Sequence, residues 1–210
     1  MNILGQRLSA RSSASPVSVA PPARASHALA QFFHSLADRT HPSVLDLGPV
    51  WHSTVQLLTE AGAKVYTEDP LEVLAAAGQE AESPEAEASA AAQFLEANLR
   101  YGEESLDGVL AWDLFEYLPE ELLPPTSARL HALLKPGGLL LTVFRNQLQA
   151  ARGNRYRLGT RESFVVLPTE LGLRPLRVLQ NRAILDLFAT FSSSRTFIRR
   201  DNLREVLLVR

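Results

Sequence analysis

The sequence predicts an α/β protein with an open, mainly parallel seven-stranded sheet, helices on both faces, and an antiparallel strand pair at the C-terminal end. Two observations lead to this prediction. Short apolar runs alternate with helical patterns up to residue 144, and parallel strands require such crossover connections. Beyond residue 144, no helix of useful length separates the apolar runs at residues 183–191 and 205–209, so these two are expected to pair antiparallel.

Composition limits the chain to one sizeable domain. It has 210 residues, of which 46% are hydrophobic, enough for one core but not for two comfortable domains. Residues 1–25 carry three arginines and no acid, which favours a flexible tail over a transit-like or nucleic-acid-binding arm, and leaves residues 26–210 as the domain. The chain has no cysteine, which excludes disulfides, thiolate zinc sites and cysteine nucleophiles. No apolar run approaches the roughly 20 residues of a membrane span, so we expect a cytoplasmic protein.

The first half of the domain begins with a capped helix. Ser26 is a plausible N-cap for a helix through residue 37, whose apolar residues share one face. Residues 44–47 are expected to form a buried strand. Ser53 and Gln56 fit a capping box for a helix over residues 54–61 that stops at Gly62. The next strand is expected at residues 64–67.

The second half continues the alternation. We expect a helix at residues 71–77, a short strand at 93–95 and a clearer strand at 107–112. Helical sequence over residues 119–134 is interrupted by Pro124 and Pro125. A turn at residues 136–138 leads into the last parallel strand, at residues 139–144.

Five segments, in this order, resemble class I S-adenosylmethionine-dependent methyltransferases: VLDLG, KVYTED, QFLEANL, DGVLAWDLFEYL and LLKPGGLLLTVF. They span about residues 44–144. The resemblance implies a Rossmann-like fold, S-adenosyl-L-methionine as the cofactor, and methyl transfer as the activity.

Polar residues follow the predicted strands at the ends where open α/β sheets bind ligands. These candidates are Asp46 with Gly48, Asp69, Asn98 and Asp113. By the resemblance, Gly48 approaches the methionine part of the cofactor, Asp69 accepts the ribose hydroxyls with Glu68 as its substitute, and Asn98 meets the adenine amino group. Asp69 also precedes Pro70, so a helix N-cap is a second role. Trp112 is expected first in the core and second in the wall of the pocket.

The glycine loop departs from the family pattern, G-x-G-x-G, because Gly48 is followed by Val50 and His52 at the other two glycine positions. A side chain in the left-handed region costs roughly 1–2 kcal/mol, so we expect Val50 to adopt ordinary dihedral angles and the loop to follow a different path. Trp51 could face the sulfonium through a cation–π contact. Alternatively, Trp51 and His52 fill the pocket.

The expected acceptor face carries Asp113, Glu116 and Tyr117 as candidate catalytic residues. Tyr117 stands where small-molecule members often have histidine, which removes the obvious base at neutral pH. Asp113 could instead cap a turn, and Tyr117 could belong to the core. Arg145-Asn146 stands where a magnesium-dependent member would have an Asp-Asn pair beside clustered carboxylates, so we predict no metal.

Four arginines beyond the last parallel strand form a basic segment: Arg152, Arg155, Arg157 and Arg161. A solvated surface, an anionic small molecule and a nucleic acid are the three interpretations, and nucleic acid is disfavoured because aromatic residues for base stacking are scarce. The leading hypothesis is methyl transfer to a small-molecule acceptor. The alternatives are a non-catalytic binding or scaffold protein with this fold and an RNA-directed methyltransferase. The sequence does not indicate the oligomeric state.

Overall fold

The computed structural model describes residues 21–80, 93, 99–147, 153–199 and 202–210. Within these residues the chain forms two sheets. Six strands form the main sheet: β2 (Ser43–Asp46), β3 (Lys64–Thr67), β4 (Leu106–Trp112), β5 (Leu134–Arg145), β8 (Ser193–Ile198) and β9 (Leu203–Val209). Three form a small sheet: β1 (Arg24–Ala25), β6 (Asn154–Thr160) and β7 (Ser163–Pro168). The small sheet was not predicted.

The main sheet has the strand order β3-β2-β4-β5-β9-β8. Strands β3, β2, β4 and β5 are parallel, whereas β9 is antiparallel to both β5 and β8. The order reverses between β2 and β4, and ligands bind open α/β sheets beyond the carboxyl ends of the strands at such a point. The sheet is thus mainly parallel with an antiparallel end, as predicted, but the described residues form six strands of it rather than seven.

Helices cover both faces of the main sheet. Helix α1 (His27–Ala37), helix α2 (His52–Glu60) and the hairpin of β6 and β7 pack on one face, around Phe32 and Leu110. Helix α3 (Pro70–Glu80), helix α4 (Leu123–Leu133) and helix α5 (Asn181–Leu187) lie on the other, around Phe115 and Phe144. Two short 3-10 turns, Leu114–Glu116 and Glu120–Leu122, connect β4 to α4.

Several helix boundaries follow from local chemistry. Ser26 caps α1 by accepting the Leu29 amide at 3.0 Å, as predicted. Gly62, just beyond α2, has a φ of +81°, which glycine adopts without a steric cost. The predicted capping box is wrong: α2 begins at His52, its N-cap is Trp51, and no side chain caps it. Pro124 and Pro125 occupy the first turn of α4 rather than interrupting it, because the first amides of a helix need no partner within it.

The predicted strand at residues 183–191 is wrong, because most of this segment belongs to α5 and the partner of β9 is β8. Ile184 in α5 and Phe188 at its C-cap are buried, and their spacing of four residues places them on one side of the helix; the buried Phe191 lies beyond its end. In the predicted strand at residues 93–95, Gln93 is helical, and the other two residues lie outside the described part of the chain. Residues 24–25, assigned to the tail by the sequence, form β1 against β7.

Candidate functional site

The carboxyl edge of the parallel sheet brings together most of the predicted site residues. We use this name for the ends of β2, β3, β4 and β5, which carry Asp46, Asp69, Trp112, Asp113 and Arg145. Because these strands are parallel, their C-terminal ends share one edge. Asn98 and Arg152 lie outside the described residues.

Trp112 closes the junction between β2 and β4. Its indole Nε1 donates to Asp46 Oδ1 at 2.6 Å, and its ring stacks on Tyr156 with centroids 5.2 Å apart and planes 5° from parallel. A Cβ on Gly48 would lie 3.3 Å from the same indole nitrogen, so the glycine permits close approach of the indole. Trp112 has a φ of +48°, and its side-chain contacts oppose the cost of that conformation, on the order of 1–2 kcal/mol.

Asp46 is buried, with 1% of its surface exposed. Burial raises the pKa of Asp46 to about 7, although the hydrogen bond from Trp112 lowers it in part. Removal from water disfavours the charged carboxylate. Asp46 is therefore partly protonated near neutral pH.

Asp69 is paired with an arginine of the small sheet. Arg155 Nη1 lies 2.5 Å from Asp69 Oδ1, and the two side chains are only 10% and 15% exposed. The same carboxylate oxygen accepts the Glu72 amide at 3.3 Å, so Asp69 also has the alternative role of capping α3. Glu68, its predicted substitute, accepts the Tyr101 hydroxyl at 2.8 Å.

The three candidate catalytic residues lie together but are buried, and they contact one arginine. Asp113 Oδ2 accepts from Arg145 Nη2 at 3.0 Å, from Tyr156 at 3.1 Å and from Tyr117 at 3.3 Å. Glu116 accepts the Arg145 amide at 2.5 Å and lies 3.0 Å from Arg145 Nε in an ion pair. We call Asp113, Glu116, Tyr117, Arg145 and Tyr156 the buried network.

One guanidinium therefore lies against two carboxyl groups. Burial raises the pKa of Glu116 to about 8, against the hydrogen bond from the Arg145 amide. Burial also raises the pKa of Asp113, while the charge of Arg145 lowers it. The charges of Arg145 and Arg204 lower the pKa of Glu116 but do not outweigh burial, so at neutral pH much of Glu116 carries a proton. Burial raises the pKa of Tyr117 above its ordinary value, so Tyr117 does not act as a base at neutral pH.

The substituted residues of the glycine loop do not close the site. Val50 is 71% exposed and does not have a positive φ, so it has the ordinary dihedral angles predicted. His52 is exposed and Trp51 half-buried, and Trp51 Nε1 is buried without a hydrogen-bond partner. The space beside Gly48 is instead lined by Trp112, Arg155 and Tyr156.

That space has a volume of about 10 Å³, roughly the volume that holds one water molecule. A larger cavity of about 660 Å³ lies elsewhere, between α4 and α5. Its walls include Leu123, Arg177 and Leu187 and none of the predicted site residues. This larger cavity therefore does not coincide with the site expected from the sequence.

Comparison with known proteins identifies the fold family. A family model described as a methyltransferase domain matches residues 22–174, well over half of the chain. The chain belongs to the methyltransferase-domain family. It is a class I, Rossmann-like member with an altered glycine loop, and S-adenosylmethionine is the cofactor of that class. A search of curated protein sequences found no match.

Solved structures similar to this methyltransferase-family protein are distant. A Burkholderia thailandensis 1,6-didemethyltoxoflavin-N1-methyltransferase, solved with 1,6-didemethyltoxoflavin and S-adenosylhomocysteine, is 17% identical, with 87% of this chain and 76% of that chain covered and a TM-score of 0.46. An S-adenosylmethionine-dependent methyltransferase from Mesorhizobium loti is 13% identical, with 85% and 95% covered and a TM-score of 0.48. One from Archaeoglobus fulgidus is 10% identical, with 87% and 91% covered and a TM-score of 0.49. Family membership therefore rests on the match over residues 22–174.

The residues at the carboxyl edge do not fit S-adenosylmethionine in the described conformation. Small-molecule sites are typically 300–1,000 Å³ in volume, against about 10 Å³ here. Asp69, the acid expected to bind ribose, is already paired with Arg155, and Asp46 with the indole of Trp112. The acidic residues typical of the family are present, but the protein's own side chains bind them.

Among the described residues, no group of three or more His, Cys, Asp or Glu side chains could hold a metal ion. No described helix is long and apolar enough to cross a membrane.

Sequence reasoning missed Arg145 and Tyr156, and misjudged Arg155. Tyr156 and Leu158 alternate with Arg155 and Arg157 along β6, and both apolar residues are buried. This period of two typifies a half-buried strand and could have revealed the hairpin. Arg155 belongs to the basic segment for which the sequence leaves a solvated surface, an anionic small molecule and a nucleic acid as interpretations, but it is only 9% exposed because it pairs with Asp69 at the carboxyl edge.

Proposed function

We propose that the protein transfers a methyl group from S-adenosylmethionine to a small-molecule acceptor. Family membership supports methyl transfer in general. The observation that carries the proposal is the convergence of Asp46, Asp69 and Asp113 on one sheet edge at the point where strand order reverses. That is where open α/β sheets bind their ligands.

We assign ribose recognition to Asp69 and contact with the loop backbone to Gly48. Asp113, Glu116 and Tyr117 are proposed to face the acceptor. Methyl transfer from a sulfonium requires mainly positioning and desolvation, so an acceptor face without a neutral-pH base is compatible with the activity. The charge of the acceptor is not part of the proposal, because Arg155, one of the four arginines of the predicted basic segment, is buried.

Isothermal titration calorimetry with S-adenosylmethionine and S-adenosylhomocysteine tests the proposal. We expect saturable heat and a rise in melting temperature, since a ligand that binds only the folded state stabilises it. Absence of both effects at millimolar ligand, for the wild type and for variants with a more open site, would remove methyl transfer from consideration.

Asp69→Asn should weaken cofactor binding by on the order of 1–3 kcal/mol, because the ribose hydroxyls lose a charged acceptor. Asp38→Asn is the matched control, since Asp38 is exposed at the end of α1. Melting curves of both variants check that the fold is retained when Arg155 loses its partner. Equal affinities for the two variants would move the ribose contact to another residue.

A second candidate function is a non-catalytic binding protein with a methyltransferase fold. The space of about 10 Å³ beside Gly48 favours it. The same titrations discriminate the two candidates, because this alternative predicts no cofactor binding by any variant.

A further inference from the structure

Strand β6 crosses the carboxyl edge without joining the main sheet. Among the described strands it pairs only with β7, which pairs in turn with β1, and no described ladder connects these three strands to the six-stranded sheet. The described hairpin is therefore held against the site by side chains and by its connections, and it can shift without breaking the main sheet.

Strand β6 is held in place by the burial of Tyr156 and Leu158 in the core of this face and by specific polar contacts. The Leu158 amide donates to Thr54 Oγ1 of α2 at 3.0 Å, and the Asn154 amide donates to the Tyr117 hydroxyl at 3.0 Å. Between them, Arg155 pairs with Asp69 and Tyr156 stacks on Trp112. The two central contacts lie at the residues that line the closed space beside Gly48.

Arg155 pairs with Asp69, the acid to which the proposed function assigns ribose binding. The guanidinium lies 2.5 Å from Asp69 Oδ1, with both side chains largely buried, and the same oxygen accepts the Glu72 amide, so only Oδ2 is left for two ribose hydroxyl groups. Neutral hydroxyls form weaker hydrogen bonds with a carboxylate than a charged guanidinium does. For Asp69 to bind both ribose hydroxyls, the cofactor must therefore displace Arg155.

Tyr156 fills the neighbouring space. Its side chain is among the largest fully buried ones, it stacks on Trp112, and its hydroxyl donates to Asp113 at 3.1 Å. Aromatic stacking of this kind stabilises the pair beyond the burial of its surface alone. Together, Arg155 and Tyr156 cover the carboxylates of Asp69 and Asp113 and the ring of Trp112, which would otherwise face an open pocket.

From these contacts we propose that β6 is an intramolecular competitor of S-adenosylmethionine: Arg155 and Tyr156 occupy the cofactor site, and the cofactor binds only when they are displaced. This inference rests on the proposed function and adds regulation of the same site. A ligand that binds only a minor conformation has its affinity reduced by the fraction of that conformation. The wild type is therefore a weak binder, and weakening the β6 contacts raises its affinity.

The test compares wild type with Arg155→Ala and Arg155→Gln by calorimetry with S-adenosylhomocysteine and S-adenosylmethionine. Arg161→Ala is the matched control, because Arg161 lies in the β6–β7 turn, is exposed, and donates to the backbone oxygen of Glu60 rather than to the site. We expect both Arg155 variants to bind at least tenfold more tightly than wild type, and Arg161→Ala to bind like wild type. Arg155→Gln keeps a hydrogen-bonding side chain and guards against a folding defect in the alanine variant.

The outcomes separate the two proposals. Equal affinity of wild type and all variants would overturn the competition while leaving the proposed function intact. No binding by any of them would overturn both. In the tightest-binding variant, amide hydrogen exchange along β6 should increase when S-adenosylhomocysteine binds, because the strand leaves its contacts; unchanged or slower exchange there would contradict displacement.

Discussion

The pKa values of buried acids are shifted in opposite directions at the two edges of the parallel sheet. At the amino edge, where β4 begins, Asp107 is bound by Arg39 at 2.8 Å, by Lys135 at 2.7 Å and by the Ser43 amide at 2.8 Å. Burial raises the pKa of Asp107, but these hydrogen bonds outweigh it, and the pKa lies below its ordinary value. At the carboxyl edge, burial raises the pKa of Asp46, Asp113 and Glu116.

The difference lies in the supply of cations. Two cations and one amide bind one acid at the amino edge, whereas the Arg145 guanidinium is shared between Asp113 and Glu116, and Arg204 adds only a smaller electrostatic effect on Glu116. Buried charges without full compensation are costly to a fold. Such a cost at the edge where α/β sheets bind ligands is expected of a functional site, because perturbed carboxyl groups cluster at such sites. The amino edge contributes to stability, and the carboxyl edge is where we propose a binding site.

The largest effect is expected from removing Arg145. Arg145→Met leaves Asp113 without its buried cation, so the free energy of unfolding should fall by about 3–5 kcal/mol at pH 7. Urea denaturation measures it. Arg182→Met is the control, because Arg182 is 95% exposed and its ion pair with Asp186 is long, at 3.9 Å. A loss as small as that of the control would mean that the buried network does not depend on this guanidinium.

A smaller effect, which depends on pH, is expected at Asp46. Its folded pKa of about 7 lies above the ordinary value of 3.8, so between these values the folded state holds a proton that the unfolded chain releases. Stability from Asp46 is therefore greatest at low pH and is lost as pH rises towards 7, at up to about 1.4 kcal/mol per unit.

Asp46→Asn should remove this dependence while keeping an oxygen for the Trp112 indole. We expect the stability of wild type relative to Asp46→Asn to fall by about 1–3 kcal/mol between pH 5 and pH 8, measured by urea denaturation. Glu116 titrates in both proteins and cancels in the comparison. Parallel curves would show that Asp46 is already charged at pH 5.

The parallel part of the sheet could be predicted from sequence, because its strands are short apolar runs fixed by local pattern and turn chemistry. The strands at residues 44–47, 64–67, 107–112 and 139–144 correspond to β2–β5, although β5 begins earlier, at Leu134. The extra residues bulge against β4, where Leu106 pairs with Leu134 but Gly108 with Leu139. Isoleucine and phenylalanine favour strands, and they make residues 183–191 resemble one. The four-residue spacing of Ile184 and Phe188 is instead typical of a helix.

The candidate site was predictable in its residues but not in its contacts. Acids at strand ends follow from position alone, so Asp46, Asp69 and Asp113 could be placed at one edge. Their partners lie far away in the sequence, Arg155 86 positions from Asp69, and Arg145 and Tyr156 32 and 43 positions from Asp113, and they reach the edge through tertiary packing. No local pattern encodes which of several arginines meets Asp69, so the closure of the site could only be seen in three dimensions.

The smallest effect is expected at the amino edge. Asp107→Asn removes the charge that Arg39 and Lys135 share, and it should lower the free energy of unfolding at pH 7 by about 1–2 kcal/mol, because both cations are partly exposed. Asp38→Asn, at an exposed position near the same edge, is the control for charge removal alone.

The pH dependence of this variant should have the opposite sign to that of Asp46→Asn. The folded pKa of Asp107 lies below the ordinary value of 3.8, so its contribution is fully present above that value and is lost as pH falls through the folded pKa. The difference between wild type and Asp107→Asn should therefore be constant from pH 8 to pH 5 and shrink towards pH 3. If it shrank instead as pH rose, the two edges would not differ in the way that their cations imply.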